Sequence, residues 1–169
     1  MSRVTQKRLR ALLAYDPDTG VFIWRVDVYT GRYQARLAAK QGDVAGSIGA
    51  RGYRLIGVDG GLYRAARLAW FYVTGRWPRH DVDHVNGKRA DDRLCNLRTA
   101  TRSENNQNQR KPRSDNKSGF LGVCPFRGKW HAQIRVAGRR HHLGYYKEPE
   151  EAHLVYLMAK AFYHPFATA

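Results

Sequence analysis

Asp81-Val82-Asp83-His84-Val85-Asn86-Gly87 sets one carboxylate directly before one histidine and ends in an Asn-Gly pair. Asparagine returns at Asn96, twelve residues after His84, and again at Asn105, nine residues further on. Asn86-Gly87 permits a tight turn immediately after the histidine, which folds Asp83-His84 back toward the helix that follows. The amides then come back at intervals at which a folded chain can place them around that turn.

Hydrolysis of a phosphodiester needs a deprotonated water in line with the leaving oxygen and a positive centre to absorb charge there. Histidine suits the first task because its unperturbed pKa lies near neutrality. A hard divalent cation held by oxygen ligands suits the second. Asp83 is a natural oxygen ligand beside His84, and Asn105 can add an amide oxygen. Asn96 can hydrogen-bond backbone and keep the His84 loop in shape.

Plainer readings compete for the same residues. A lone histidine is more often structural or superficial than catalytic, and Asn-rich segments are usually loops and caps. The run Asp81, Asp83, Asn86, Gly87 also suggests a calcium loop, which requires Gly at its sixth position and Glu at its twelfth. Counted from Asp81, Gly87 is seventh and the twelfth residue is Asp92. The calcium reading fails on register.

The wider composition supplies a substrate class. The 169 residues carry 30 Lys+Arg against 14 Asp+Glu, a net charge of +16, with 43% hydrophobic residues to build a core. That excess predicts attraction to nucleic acid. Residues 1–80 hold a net +9 and residues 111–169 a net +6, whereas residues 81–110 hold only +1. A segment that binds a divalent cation must keep carboxylates, while its basic flanks hold phosphates. No run approaches the roughly 20 apolar residues of a spanning helix. Residues 1–10 lack the apolar core of a secretory signal. Cys95 and Cys124 cannot build a disulfide framework and read as reduced thiols, so a cytoplasmic location is expected.

Local patterns order the rest. Leu9, Leu12 and Leu13 share a helical face, Asp16 to Gly20 is turn chemistry, and Val21 to Trp24 reads as a strand. Residues 30–50 have no clear period and read as loop; Gly46, Gly49 and Gly52 lack the Lys-Ser/Thr of a phosphate loop. Tyr53–Val58 and Leu62–Arg64 read as a hairpin, followed by a helix over Ala65–Thr74 that Gly75 stops. A helix starts near Ser103-Glu104, and residues 106–118 read as a basic linker. Gly119–Cys124, Lys129–Val136 and His141–Tyr146 read as three strands. The helix that starts at Glu148 has Ala152, Val155, Tyr156, Ala159 and Phe162 as its apolar stripe.

Asp83-His84-x-Asn86-Gly87, Arg93-Leu94-Cys95-Asn96-Leu97-Arg98 and Ser103-Glu104-Asn105-Asn106 together resemble an HNH endonuclease of the phage and homing type. The resemblance implies a ββα-metal fold, two strands and a helix around one Mg²⁺ or Mn²⁺. It makes His84 the general base, Asp83 and Asn105 the metal ligands, and Asn96 the residue that orients the histidine's loop. The third motif letter is Asn105 here, a variant that occurs in the family. Tyr63 to Trp70 also matches, with Ala66 where relatives often carry histidine.

Gly119, Gly122-Val123, Trp130-x-Ala132-x-Ile134, Leu143-Gly144-x-Tyr146 and the helix from Glu148 resemble an Apetala-type DNA-binding domain, which inserts a three-stranded sheet into the major groove. By position, Arg127, His131, Gln133, Arg135, Arg139 and Arg140 would face DNA, where Arg and Gln can contact guanine and adenine edges. A solvated polar sheet face is the plainer account of these residues.

The expectation is therefore an α+β chain with four parts. Residues 1–52 lead into a nuclease core over 53–110; a basic linker spans 111–118; a DNA-binding module covers 119–169. The expected function is metal-dependent cleavage of double-stranded DNA by a monomer, without an obligate protein partner. The alternatives are a non-catalytic, sequence-specific DNA-binding regulator and a basic RNA- or ribosome-associated protein.

Overall fold

Thr5 starts the first helix: its hydroxyl accepts a hydrogen bond from the Arg8 amide at 3.2 Å, which satisfies one of the donors a helix start leaves open. Helix α1 (Gln6–Leu12) runs straight into strand β1 (Leu13–Tyr15), which pairs antiparallel with β2 (Phe22–Trp24). These elements belong to a computed structural model that describes residues 4–30 and 36–167. The chain divides into two compact units, one ending at Ala100 and one beginning at Thr101.

In the first unit Leu9, Leu13, Phe22, Ile56 and Leu68 are the largest wholly buried side chains. They come from α1, β1, β2, from β6 (Arg54–Val58) and from helix α2 (Ala65–Thr74), so one core ties five elements together. Strand β6 turns into β7 (Gly61–Arg64) through Asp59-Gly60, both at positive φ, as a tight hairpin requires. Helix α2 ends at Gly75 in the left-handed region. Beyond it, Trp77 stacks on Phe71 at 4.3 Å between ring centroids and on Tyr63 at 5.6 Å. That stack directs the chain into β8 (Asp81–His84), which pairs antiparallel with β9 (Leu97–Ala100).

The loop expected over residues 30–50 is corrected in part. Strand β3 (Val28–Thr30) pairs with β4 (Arg36–Ala39), and β5 (Ser47–Ile48) adds to the edge of β6. These strands are mostly exposed on both faces, so no alternation of apolar and polar residues marks them. Residues 31–35, part of the same expectation, lie outside the described residues.

The β1–β2 turn also supports a distant loop. Asp16 accepts hydrogen bonds from the Asp18 amide at 2.9 Å and the Thr19 hydroxyl at 2.8 Å. The turn then meets residues 92–94: the Leu94 amide donates to the Pro17 carbonyl at 2.9 Å, and the Tyr15 hydroxyl donates to the Asp92 carbonyl at 2.7 Å. Gly20 sits at φ +75°, and a β-carbon there would lie 2.4 Å from the Arg93 nitrogen and 2.5 Å from the Asp92 carbonyl carbon.

In the second unit, α3 (Arg102–Gln107) begins with a capping box: Thr101 accepts from the Glu104 amide, and Glu104 accepts from the Thr101 amide. Strands β10 (Val123–Phe126), β11 (Lys129–Val136) and β12 (Arg139–Tyr146) form an antiparallel sheet in that order, with α4 (Pro149–Tyr163) packed on it. Val123, Ala132 and Ala152 are its buried centre, with Phe120, Trp130, Leu143 and Tyr146 around them. The first strand starts at Val123 rather than Gly119, and the third starts earlier, at Arg139. The expected α4 stripe also needs correction. Phe162 is 80% exposed, whereas Lys160 is buried and donates to the Gln109 carbonyl at 2.7 Å. Burial, and then Arg110, lower the Lys160 pKa. No helix among the described residues is long and apolar enough to cross a membrane.

Gly20→Ala must both adopt a strained φ and push Asp92-Arg93 away. It is expected to lower unfolding stability by about 2–4 kcal/mol, read by urea denaturation followed through tryptophan fluorescence. A variant as stable as the parent would mean that this turn does not support the 92–94 loop.

Candidate active site

Strand β8 places Asp83 and His84 at its end, and the register with β9 sets Asp83 opposite Arg98 and His84 opposite Leu97. Cross-strand neighbours on one face interact directly. Arg98 accordingly donates to Asp83 Oδ2 from Nε at 3.1 Å and from Nη2 at 2.9 Å. His84 is only 4% exposed and packs toward the core, its ring centroid 5.9 Å from that of Tyr53.

After His84 the chain reverses tightly. The Gly87 amide donates to the His84 carbonyl at 2.8 Å, and Gly87 takes φ +71°, a conformation that suits glycine. The Asn86 side chain accepts from the Lys88 amide at 2.8 Å and donates to Asp91 Oδ2 at 2.6 Å. Asn96 then closes the loop with both ends of its amide: Oδ1 accepts from the Asn86 amide at 2.9 Å, and Nδ2 donates to the Asp91 carbonyl at 2.7 Å. A backbone bond from the Val85 amide to the Asn96 carbonyl at 2.9 Å completes the clasp. The Asn96 side chain thus bonds backbone at both ends of the loop whose shape the sequence reading expects it to keep.

Three carboxylates surround the turn, each in a different electrostatic setting. Asp83 faces Arg98. Asp91 pairs with Arg93 through two bonds of 2.7 Å, and the Arg93 guanidinium, helped by the Asn86 amide, holds the Asp91 carboxyl well below the usual carboxylate range. Asp92 is 2% exposed, and its Oδ1 lies 2.9 Å from His84 Nε2. Burial, and then the Asp92 charge, raise the Tyr15 hydroxyl pKa.

Asp92 is the residue that sequence reasoning misses, because a carboxylate eight residues from a histidine carries no motif of its own. The double acid Asp91-Asp92 in a basic chain was the available signal. Tyr53 is a second omission. Arg64 lies over its ring at 4.3 Å and Arg89 at 5.3 Å, so two cations collect beside the aromatic ring that contacts His84.

Asn105 stands on α3 in the second unit, in the turn of helix that the capping box initiates. In the same unit the β11–β12 register separates the sheet into two rows. Arg135 pairs with Arg140, Gln133 with His142 and His131 with Tyr145; the other row holds Val136 with Arg139, Ile134 with His141 and Trp130 with Tyr146. The helix-covered row is the second, since Ile134, Ala132 and Trp130 belong to the core there. Arg139, exposed at the start of β12, does not share the open row with Arg140, because adjacent strand residues point to opposite faces. Arg127 lies in the β10–β11 turn with its guanidinium 5.4 Å from the Phe126 ring centroid.

The open row carries more aromatic surface than its arginines alone suggest. Phe126 and Tyr145 stack at 5.0 Å, His142 lies 4.6 Å from Tyr145, and His142 Nδ1 is 2.6 Å from His131 Nε2. Burial, and then His142 and Arg140, lower the His131 pKa, which favours its neutral form.

Asp83, at the end of β8, is the kind of hard oxygen donor that a divalent cation takes, and Asn105, the other ligand expected from the sequence, belongs to the second unit. Among the described residues, no three His, Cys, Asp or Glu side chains converge on a metal-sized site.

A family model described as HNH endonuclease matches residues 63–107. That span begins in β7 and ends with α3, and it contains Asp83, His84, Asn96 and Asn105. The chain is also similar to Protein 3.8 of Escherichia phage T7, with 33% identity over 86 residues, covering 47% of this chain and 70% of that protein. No solved structure matches it.

Asn96→Ala removes both ends of the clasp and leaves buried polar groups unpaired. The expected cost is about 2–4 kcal/mol, with amide exchange rising selectively over residues 85–96. A loss under about 1 kcal/mol would show that the loop is held by other contacts.

Proposed function

This chain belongs to the HNH endonuclease family, and from that premise we propose that it hydrolyses phosphodiester bonds of duplex DNA, with His84 as general base and one divalent metal ion. It is a nuclease, a phosphodiester hydrolase. The observation that carries the finer reading is the Asn96 clasp, which holds His84 and the neighbouring Asp83 at the end of a strand with Asn86-Gly87 folded tightly behind them.

In this mechanism His84 takes the proton from the attacking water. Asp83 and Asn105 would hold Mg²⁺ or Mn²⁺, which when bound supplies positive charge for the leaving oxygen. Asn96 keeps the His84 loop in register and so acts through position. Arg64 and Arg89, gathered at Tyr53 beside His84, place positive charge where a phosphate would approach. With one nuclease centre per chain, a nick is the expected primary product.

DNA positioning falls to residues 119–169, read as an Apetala-type module. Arg135, Arg140, Gln133 and His131 form the open row, with Arg127 at its turn; the aromatic surface of Phe126 and Tyr145 lies among them. Guanidinium groups suit both phosphate and guanine edges. The near-neutral stretch 81–110 thus carries the chemistry, and the basic regions on either side carry affinity.

Two experiments test this. On supercoiled plasmid with Mg²⁺, His84→Ala is expected to lower nicking at least ~10²-fold while duplex binding is largely kept. Nicking at the parent rate by that variant, or equal nicking in excess chelator, would defeat the mechanism. Second, Arg135→Ala with Arg140→Ala should weaken duplex binding and reduce the slope of log K against log salt by about 1 per lost phosphate contact. An unchanged slope in a salt titration would remove this row from the interface.

A further inference from the structure

We propose that Asp92 is the positioning residue of His84: its carboxylate holds the imidazole in the tautomer that carries the proton on Nε2 and the lone pair on Nδ1. This rests on the reading of His84 as the general base.

The contact is buried on both sides, with side-chain exposures of 4% for His84 and 2% for Asp92, at 2.9 Å between Nε2 and Oδ1. An ionised carboxylate has no hydrogen to give, so the nitrogen facing it must carry one. In a neutral imidazole the other nitrogen is then the acceptor, the state a general base needs. A base oriented by a third group is a recurrent arrangement in hydrolytic sites.

What sets Asp92 apart is its lack of other company. Asp83 meets Arg98, and Asp91 meets Arg93 and Asn86. Asp92 has no side-chain partner besides His84 among the described residues, and its Oδ2 is buried without a hydrogen bond. A buried carboxylate with an empty oxygen costs stability, and replacing such groups by apolar residues is often neutral or favourable. Its presence is therefore poorly explained as a stabilising device and well explained as a hold on the imidazole.

The surroundings fix Asp92 through its backbone and leave its carboxylate to the histidine. The Tyr15 hydroxyl binds its carbonyl at 2.7 Å, and the Leu94 amide binds the Pro17 carbonyl at 2.9 Å. Gly20 packs so closely that a β-carbon there would sit 2.5 Å from the Asp92 carbonyl carbon. The N-terminal hairpin therefore sets the direction in which the Asp92 carboxylate points.

The test uses the full chain, with ¹⁵N-labelled histidine to read the His84 tautomer directly by long-range proton–nitrogen NMR. The parent protein is expected to show the Nε2–H form, and Asp92→Ala to lose that preference. In plasmid nicking, Asp92→Ala should lower kcat by about 10–100-fold with KM held within about twofold. Asp92→Leu fills the space and guards against a folding artefact; it should unfold at or above the parent temperature yet show the same kcat loss. An Nδ1–H tautomer in the parent, or parent-level kcat in a folded Asp92 variant, would overturn the proposal. If instead His84→Ala nicks normally, the general-base reading falls, while the tautomer measurement still decides whether Asp92 holds the ring.

Discussion

Between β8 and β9 the chain must reverse while it buries a histidine and an aspartate, and the Asn96 amide satisfies the backbone groups that this reversal would otherwise leave unpaired. Its oxygen takes the Asn86 amide and its nitrogen serves the Asp91 carbonyl, at opposite ends of the loop. A side chain with one donor end and one acceptor end is suited to this; a carboxylate or an ammonium is not. The clasp closes the loop that follows directly on Asp83 and His84 at the end of their strand.

The charges around the turn are separated by environment rather than by number. Asp91 is tied to Arg93, whose hydrogen bonds keep its carboxyl ionised far into acid. Asp83 faces Arg98 across the strand pair and keeps its oxygens at the end of β8. Among the described residues, Asp92 has His84 as its side-chain hydrogen-bond partner. Three carboxylates in ten residues thereby meet three different partners. The differences follow from which cations the β8–β9 register and the loop bring within reach.

The second unit shows the same economy in its sheet. Helix α4 covers the row containing Ala132 and Ile134, and the alternation of β11 then delivers His131, Gln133 and Arg135 to the uncovered side. A register shift between Ala132 and Gln133 brings His142 opposite Gln133, which places two histidines and Tyr145 together on that side. The result is a basic surface with aromatic rings set into it, a combination suited to sugar-phosphate and base contacts alike.

Much of this was legible in the residues themselves. The β6–β7 hairpin, the span of α2 and its stop at Gly75, the alternation of β11 and the start of α4 all follow from local rules, since turn chemistry and periodicity act over a few residues. The candidate residues Asp83, His84, Asn96 and Asn105 could be named from spacing. Strands β4 and β5 could not be read, because exposed strands leave no alternation. Phe162 was misplaced because a helical stripe gives a direction but not how far the sheet beneath it extends. The row that Arg139 joins cannot be read from the residues, because it depends on where β12 begins. The residues alone give the candidates and their order along the chain. That Asp92 meets the imidazole follows from the fold, since the N-terminal hairpin packs against the 92–94 loop from 77 residues away along the chain.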